Sequence, residues 1–371
     1  MKPLKIHFDN QIFRLQKYGG ISKYFVRLTE ELKILSQQPK ILGGFHMNAY
    51  LRDFNSASAS GIYMEKYPKR TIRLLREAGN YFNHGYQFVQ KPDIIHETYF
   101  NNAPSLKSKS SARVVTEYDC LHELFPDFFP ISYLKTKEKQ AAFERSDVII
   151  SISHQTKADM LNFFNLDEKK IKVTHLAADP PIADHLIIMP TPRPRPFLLY
   201  VGIRLKHKNF ARMVKAFSRS RFLMQEFDLV AFCPQEFSQE EVTLFRELGF
   251  RPDQIRWEKG DDDRLAGFFK TAHAFVYPSI YEGFGIPPLE AMSYGCPVVC
   301  SNSSSLPEVV GDSALCFNPL DEEEITFQLE KMGLESSLSR DLRSKGYERI
   351  KSFSWKKTAE ETLSIYRELV R

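Results

Sequence analysis

Residues 275–307 read Phe-Val-Tyr-Pro-Ser-Ile-Tyr-Glu-Gly-Phe-Gly-Ile-Pro-Pro-Leu-Glu-Ala-Met-Ser-Tyr-Gly-Cys-Pro-Val-Val-Cys-Ser-Asn-Ser-Ser-Ser-Leu-Pro, a pattern of strand, loop, helix, strand, loop. Residues 274–277 form a short apolar run of the kind a doubly covered parallel strand needs. The following loop carries Gly283 and Gly285, so its backbone can turn tightly and approach a ligand closely. Pro287 and Pro288 suit the first turn of a helix, where a missing N–H costs nothing. Gly295 ends that helix after Tyr294, and residues 297–300 start the next buried strand. A glycine loop that runs into a helix N-terminus directs free N–H groups and the positive dipole end into one pocket, which suits an anion.

Two carboxylates flank that pocket, Glu282 in the loop and Glu290 in the first helical turn. Neither suits a phosphate, since like charges repel, but each can accept hydrogen bonds from sugar hydroxyls beside one. Singly, each is an ordinary acidic residue near a helix start. The combination Glu-Gly-Phe-Gly-x-Pro-x-x-Glu-Ala-Met followed by Gly-x-Pro-Val is far more specific. It resembles the E-x7-E donor site of the retaining glycosyltransferases of family 4. The resemblance implies an α/β, GT-B fold, with two Rossmann-like parallel-sheet domains facing a central cleft. It implies that Glu282 contacts the transferred sugar and that Glu290 holds the nucleotide ribose. Backbone N–H groups at Gly283, Phe284 and Gly285 would face the sugar and diphosphate, with the dipole of the helix from Ile286 onward behind them.

The 371 residues suffice for about two to three domains. An apolar fraction of 43% and a charged fraction of 26% are those of a soluble globular enzyme. No run approaches the length of a membrane span, and the N-terminus breaks its apolar pattern too early for a signal peptide. The five cysteines, Cys120, Cys233, Cys296, Cys300 and Cys316, are odd in number and form no paired metal-type cluster. The expectation is a reduced, cytoplasmic protein.

In chain order, residues 4–10 read as a strand, and apolar Ile21, Phe25, Leu28 and Leu32 share one face of the helix after it. Gly19 and Gly20 then mark the hand-over from strand to helix. Asp-Asn-Gln-Ile-Phe with Tyr-Gly-Gly-Ile-Ser-Lys-Tyr-Phe resembles the opening of family members in surface-polysaccharide pathways. The resemblance implies that Gly19 and Gly20 close over donor diphosphate and acceptor. Residues 40–45 and 63–67 read as strands, and 69–89 as a helix. Lys66, Lys69, Arg70, Arg73 and Arg76 make a basic cluster. It suits an anionic membrane surface carrying a lipid-linked acceptor, at the inner face of the plasma membrane. No nucleic-acid motif accompanies it.

Residues 93–100 and 113–120 read as buried strands ending in polar residues, so His96, Tyr99, Tyr118, Asp119 and His122 are expected on the ligand side. The segment from Tyr118 is similar to one where the family has His-Asp, and that His contacts the donor sugar. Here Tyr118 precedes Asp119, so either Tyr118 or His122 would serve. Residues 135–145 read as a helix, 147–153 and 171–177 as strands, and Ser153 as a helix cap. The expected division is an acceptor-side domain at 1–180, a proline-rich linker at 181–196, a donor domain at 197–352, and a last helix at 353–371 crossing back to the first domain.

Residues 197–203 restart a strand–helix series. Arg204, Lys208 and Asn209 match the family variant Gly-x-Arg-x-x-x-Lys-Asn. Arg204 and Lys208 would stabilise the charge that grows on the diphosphate as the sugar–phosphate bond breaks. Gly-Asp-Asp-Asp-Arg at 260–264 resembles an Asp-x-Asp metal motif, but its place before Leu265 and Phe268 marks a helix cap. Asn302 and Ser303 follow the strand after the donor motif and are candidate pocket residues. The resemblance thus implies a retaining, metal-independent hexosyl transfer. It further implies a GDP- or UDP-linked sugar as donor, no other cofactor, and a glycan or lipid-linked glycan of a surface polysaccharide as acceptor. Two other readings remain: a non-catalytic nucleotide-sugar or glycan-binding GT-B protein, and a GT-B sugar-nucleotide epimerase.

Overall fold

Parallel strands covered on both faces must be apolar throughout, and that requirement shapes both halves of this protein. The computed structural model describes residues 2–54, 57–68, 70–108, 110–129 and 131–370. It divides into two units, Met1–Leu176 with Trp355–Arg371, and Ala177–Ser354. In the first, the strands are β1 (Lys5–Phe8), β2 (Gln38–His46), β3 (Ala59–Tyr63), β4 (Ile94–Glu97), β5 (Ala112–Glu117), β6 (Val148–Ser151) and β7 (Ile171–Val173). They form one parallel sheet in the order β3-β2-β1-β4-β5-β6-β7. In the second, β8 (Phe197–Val201), β9 (Asp228–Phe232), β10 (Ile255–Glu258), β11 (Ala274–Tyr277), β12 (Val298–Ser301) and β13 (Ala314–Phe317) pair in the order β10-β9-β8-β11-β12-β13, again all parallel. Every residue of β4, β6, β9, β11 and β12 is buried.

Both sheets reverse their order beside the first strand, at β1/β4 and at β8/β11. Connections there leave in opposite directions, which opens a crevice outside the carboxyl ends of the strands. In the second unit the helix Phe210–Arg219 covers the sheet with Phe210, Met213, Val214 and Phe217, and Glu322–Leu334 adds Ile325, Leu329 and Met332. The spacing of both sets is helical.

Several expectations shift. The strand expected at 63–67 is β3 at Ala59–Tyr63, on the sheet edge, where mostly exposed small residues suffice and no apolar run marks it. A short helix, Gln11–Leu15, intervenes after β1, so Gly19 and Gly20 precede a second helix, Gly20–Ile34. The strand β13 has no counterpart in the expected series. Asp261 caps the helix Asp262–Thr271 by accepting from Arg264 N at 3.1 Å, and Ser153 caps His154–Phe163 by accepting from Thr156 N at 3.0 Å. Among the described residues, no helix is long and apolar enough to cross a membrane. Lys69 and the side chains of Arg73 and Arg76 lie outside the described residues; Lys66 and Arg70 are exposed.

The last helix, Trp355–Leu369, packs on Gly20–Ile34 within the first unit. Its Tyr366 hydroxyl lies 2.6 Å from His96 Nδ1, while His96 Nε2 meets Thr116 Oγ1 at 2.8 Å. His96 is therefore a core residue and does not face a ligand. Tyr366→Phe should cost about 1–3 kcal/mol by stranding a buried ring nitrogen; an unchanged urea midpoint would contradict this role.

Burial holds His96 down to about 3, and burial with Lys40 and Lys5 nearby holds His7 down to about 4; burial also holds His46 down to about 4. In the unfolded chain these rings charge near 6.5. Between that value and their folded values the unfolded state binds more protons, so stability is complete above about pH 6.5 and falls as the pH drops through the window. The expected loss is of order 1 kcal/mol per histidine by about pH 5. Urea unfolding at several pH values, compared with His7→Gln and His46→Gln, measures it.

Candidate active site

The crevice at β8/β11 receives the loops that leave those two strands, 202–209 and 278–285. Lys208 comes from the first and Glu282 from the second, and their side chains meet at 2.6 Å. Lys208 Nζ also donates to the Tyr277 hydroxyl, at 3.4 Å, at the carboxyl end of β11. The two loops are joined directly, since Ile280 N donates to His207 O at 2.7 Å. Burial would raise the Glu282 carboxyl, but the adjacent Lys208 ammonium outweighs it and holds the group below the usual carboxylate range. Burial and the Glu282 charge push the Tyr277 phenol well above its ordinary value, so it stays protonated.

Serines from the loop after β12 clamp the Glu282 loop. Ser303 Oγ donates to Ile280 O at 2.7 Å, and Ser305 Oγ donates to Glu282 O at 2.8 Å and Phe284 O at 2.6 Å. Ser304 Oγ accepts from Glu282 N at 2.9 Å, and Ser301 Oγ bonds Ser279 O. Gly285 begins the helix Ile286–Ser293 with φ of 113°, and a Cβ there would meet Leu306 Cδ2 at 2.7 Å. Only glycine makes this turn without strain. The helix has no side-chain cap and no acidic residue in its first turn as assigned, and Glu290 sits half-buried at its fifth position. The Phe284 ring is buried against Phe353, so only its backbone is placed for a ligand.

Other expected site residues have different duties. The Arg204 guanidinium makes a two-pronged bond to Glu241, at 2.6 and 3.1 Å, and donates to Gln235 O at 3.0 Å and Glu236 O at 2.6 Å. It also bonds Cys233 Sγ and lies over the Phe237 ring. Its bonds go to the 233–241 segment, and none reaches the Lys208–Glu282 pair. Asn209 takes the left-handed conformation that Asn tolerates well, with φ of 59°. Its amide donates to Pro319 O at 2.7 Å and accepts from Arg212 at 3.1 Å, which makes it a clamp on the helix Phe210–Arg219. Ser303 likewise serves the loop, and Asn302 is exposed.

In the first unit, Tyr118 is only 6% exposed, and its hydroxyl donates to Thr98 O at 3.1 Å. Burial raises its phenol well above the ordinary value. Tyr118 is thus a packing residue, contrary to the expected contact with a sugar. His122 is half-buried on the short helix Leu121–Leu124, with its ring 4.8 Å from Phe129. Gly19 is half-buried and Gly20 exposed at the start of Gly20–Ile34, where Gly19 has no side chain to cap the helix and Gln16 Oε1 accepts from Ser22 N at 3.4 Å.

The two parallel sheets, each reversing its order beside its first strand, are those of the GT-B fold. Residues 188–349 match the family model described as glycosyl transferases group 1, so the second unit carries such a domain. The chain is similar to O-antigen chain mannosyltransferase B of Escherichia coli, 27% identical over 319 residues, covering 82% of this chain and 79% of that one. It is also similar to the serotype-specific mannosyltransferase WbdA of Escherichia coli, 28% identical over 247 residues. That match covers 63% of this chain but only 30% of WbdA. A glycosyltransferase from Rickettsia africae ESF-5 has the same fold, with a TM-score of 0.72, 16% identity and all of each chain covered.

Lys208→Met should raise the Glu282 carboxyl, because burial is then opposed only by the neutral donors Ser279 and Tyr277. The carboxyl should titrate above its wild-type position in a carboxyl-carbon NMR titration; an unchanged titration would show that Lys208 does not hold it down.

Proposed function

We propose that this protein transfers a mannosyl residue, with retention of configuration, from a nucleotide-linked donor to a glycan or lipid-linked glycan acceptor of a surface polysaccharide. The observation that carries this reading is the Lys208–Glu282 pair, set at the β8/β11 crevice beside the uncapped helix start at Gly285. The mannosyl assignment follows the named activity of the Escherichia coli relatives.

In this reading the donor diphosphate lies against the backbone N–H groups of Gly283, Gly285 and Ile286. Lys208 then turns from Glu282 toward the phosphates, and Glu282 becomes free to accept hydrogen bonds from the sugar hydroxyls. Glu290 accepts from the ribose. The leaving diphosphate takes the acceptor proton as the new glycosidic bond forms on the same face, and Lys208 with the helix N-terminus stabilises the charge left on it. Arg204 acts at one remove by fixing the 233–241 segment. The Gly19–Gly20 helix start offers a second set of backbone N–H groups to the diphosphate or acceptor. A cavity of about 230 Å³ lined by Gln11, Arg14, Phe45, Tyr67, Phe100 and Lys135, among others, is a fit for an acceptor sugar ring.

Thermal shift with GDP-mannose, UDP-glucose and UDP-galactose, together with release of nucleoside diphosphate, tests the reading. GDP-mannose should stabilise the protein and be turned over. Lys208→Ala should lower kcat by about 10²–10³-fold, while Glu290→Ala should mainly raise KM. The buried Tyr118 supports a second reading, a binding protein without turnover. Binding of a donor with no release in the presence of acceptor would establish that one instead.

A further inference from the structure

The helix Ile72–Gln90 is turned inside out relative to an ordinary surface helix. The face it buries holds Gly79, Asn83 and Gln87, at i, i+4 and i+8. Gly79 allows close approach to β2, and Asn83 Nδ2 donates to Leu42 O at 3.0 Å. Its opposite face presents Leu74 at 71% exposed, Tyr81 at 78%, Phe82 at 65%, Phe88 at 81% and Val89 at 74%. These positions fall on one arc of the helix, with Ala78 and Gly85 between them. An apolar arc this continuous marks a surface made to be covered.

We propose that this face lies in the interface of an anionic lipid bilayer, with the helix parallel to the membrane plane. Charge selects this occupant over a second copy of the chain. Residues 65–91 contain six lysines and arginines against two glutamates, in a chain whose whole formal charge is +5. Two such faces would repel each other, whereas an anionic surface attracts both. Of the basic groups, Lys66, Arg70 and Lys91 are exposed at the two ends of the helix. The residue types agree, since Tyr and Phe favour the depth where headgroups meet acyl chains. The inference goes beyond the expected electrostatic contact: the basic residues draw the surface in, and the aromatic arc enters it. It does not depend on the sugar-transfer reading.

The test is flotation of the full chain with vesicles of phosphatidylcholine alone and of phosphatidylcholine mixed with phosphatidylglycerol. The protein should float with the anionic vesicles only. A Phe82→Ser, Phe88→Ser double variant should lose at least about tenfold in affinity while keeping the wild-type melting temperature, as both side chains are exposed. A Phe88→Trp variant should show a blue shift of its added fluorescence on anionic vesicles. Undiminished flotation of the double variant would overturn the proposal. So would absence of flotation together with a dimer in sedimentation that the double variant abolishes.

Discussion

A carboxylate half-buried in the crevice of the second sheet stays charged most readily when a cation meets it there. Glu282 is such a group, and Lys208 is its counter-ion. Breaking a buried pair by removing one partner costs several kcal/mol, more than the pair contributes over apolar replacements. The arrangement is therefore poor economy as a fold stabiliser and well suited to a site that exchanges partners. In the proposed function, an incoming diphosphate would offer Lys208 a stronger anion, and incoming hydroxyls would offer Glu282 neutral donors. The serines at 303–305 hold the loop that carries Glu282 in place.

The position of the pair follows from chain topology. A parallel doubly wound sheet must reverse its strand order once, and at that point two loops diverge. In the second sheet these are the loops after β8 and β11, which bring Lys208 and Glu282 together across 74 residues of sequence. The first sheet repeats the device at β1/β4. There Asp9, fully buried, accepts from Thr98 N at 3.0 Å and Thr98 Oγ1 at 2.6 Å. In that sheet the corresponding groups bond one another and stiffen the strand ends.

Much of this was legible from residue order because the strands are buried on both faces and read as apolar runs. The glycine turn, the proline-led helix and the Asp261 cap are local, so they could be read locally. The edge strand β3 was misplaced because an exposed edge imposes no apolar pattern. The placement of candidate site residues was legible where one segment carries them, as at Glu282 and Gly285. It was not legible where a side chain is committed by a distant partner. Arg204 is held by Glu241, Asn209 by Pro319 and Tyr118 by Thr98, and no local pattern announces these bonds. The clamp formed by Ser304 and Ser305 was missed for the same reason, although a run of serines after a buried strand is itself a signal. Tyr277 could have been found from its place at the carboxyl end of β11.

In the proposed function, the diphosphate of the donor binds where the loops after β8 and β11 meet. Amide hydrogen exchange of the full chain with and without nucleoside diphosphate tests this most directly. The account predicts slowed exchange confined in the second unit to the N–H groups near 283–286 and to the 202–209 loop. Unchanged exchange in both segments, with protection appearing elsewhere on ligand binding, would contradict it.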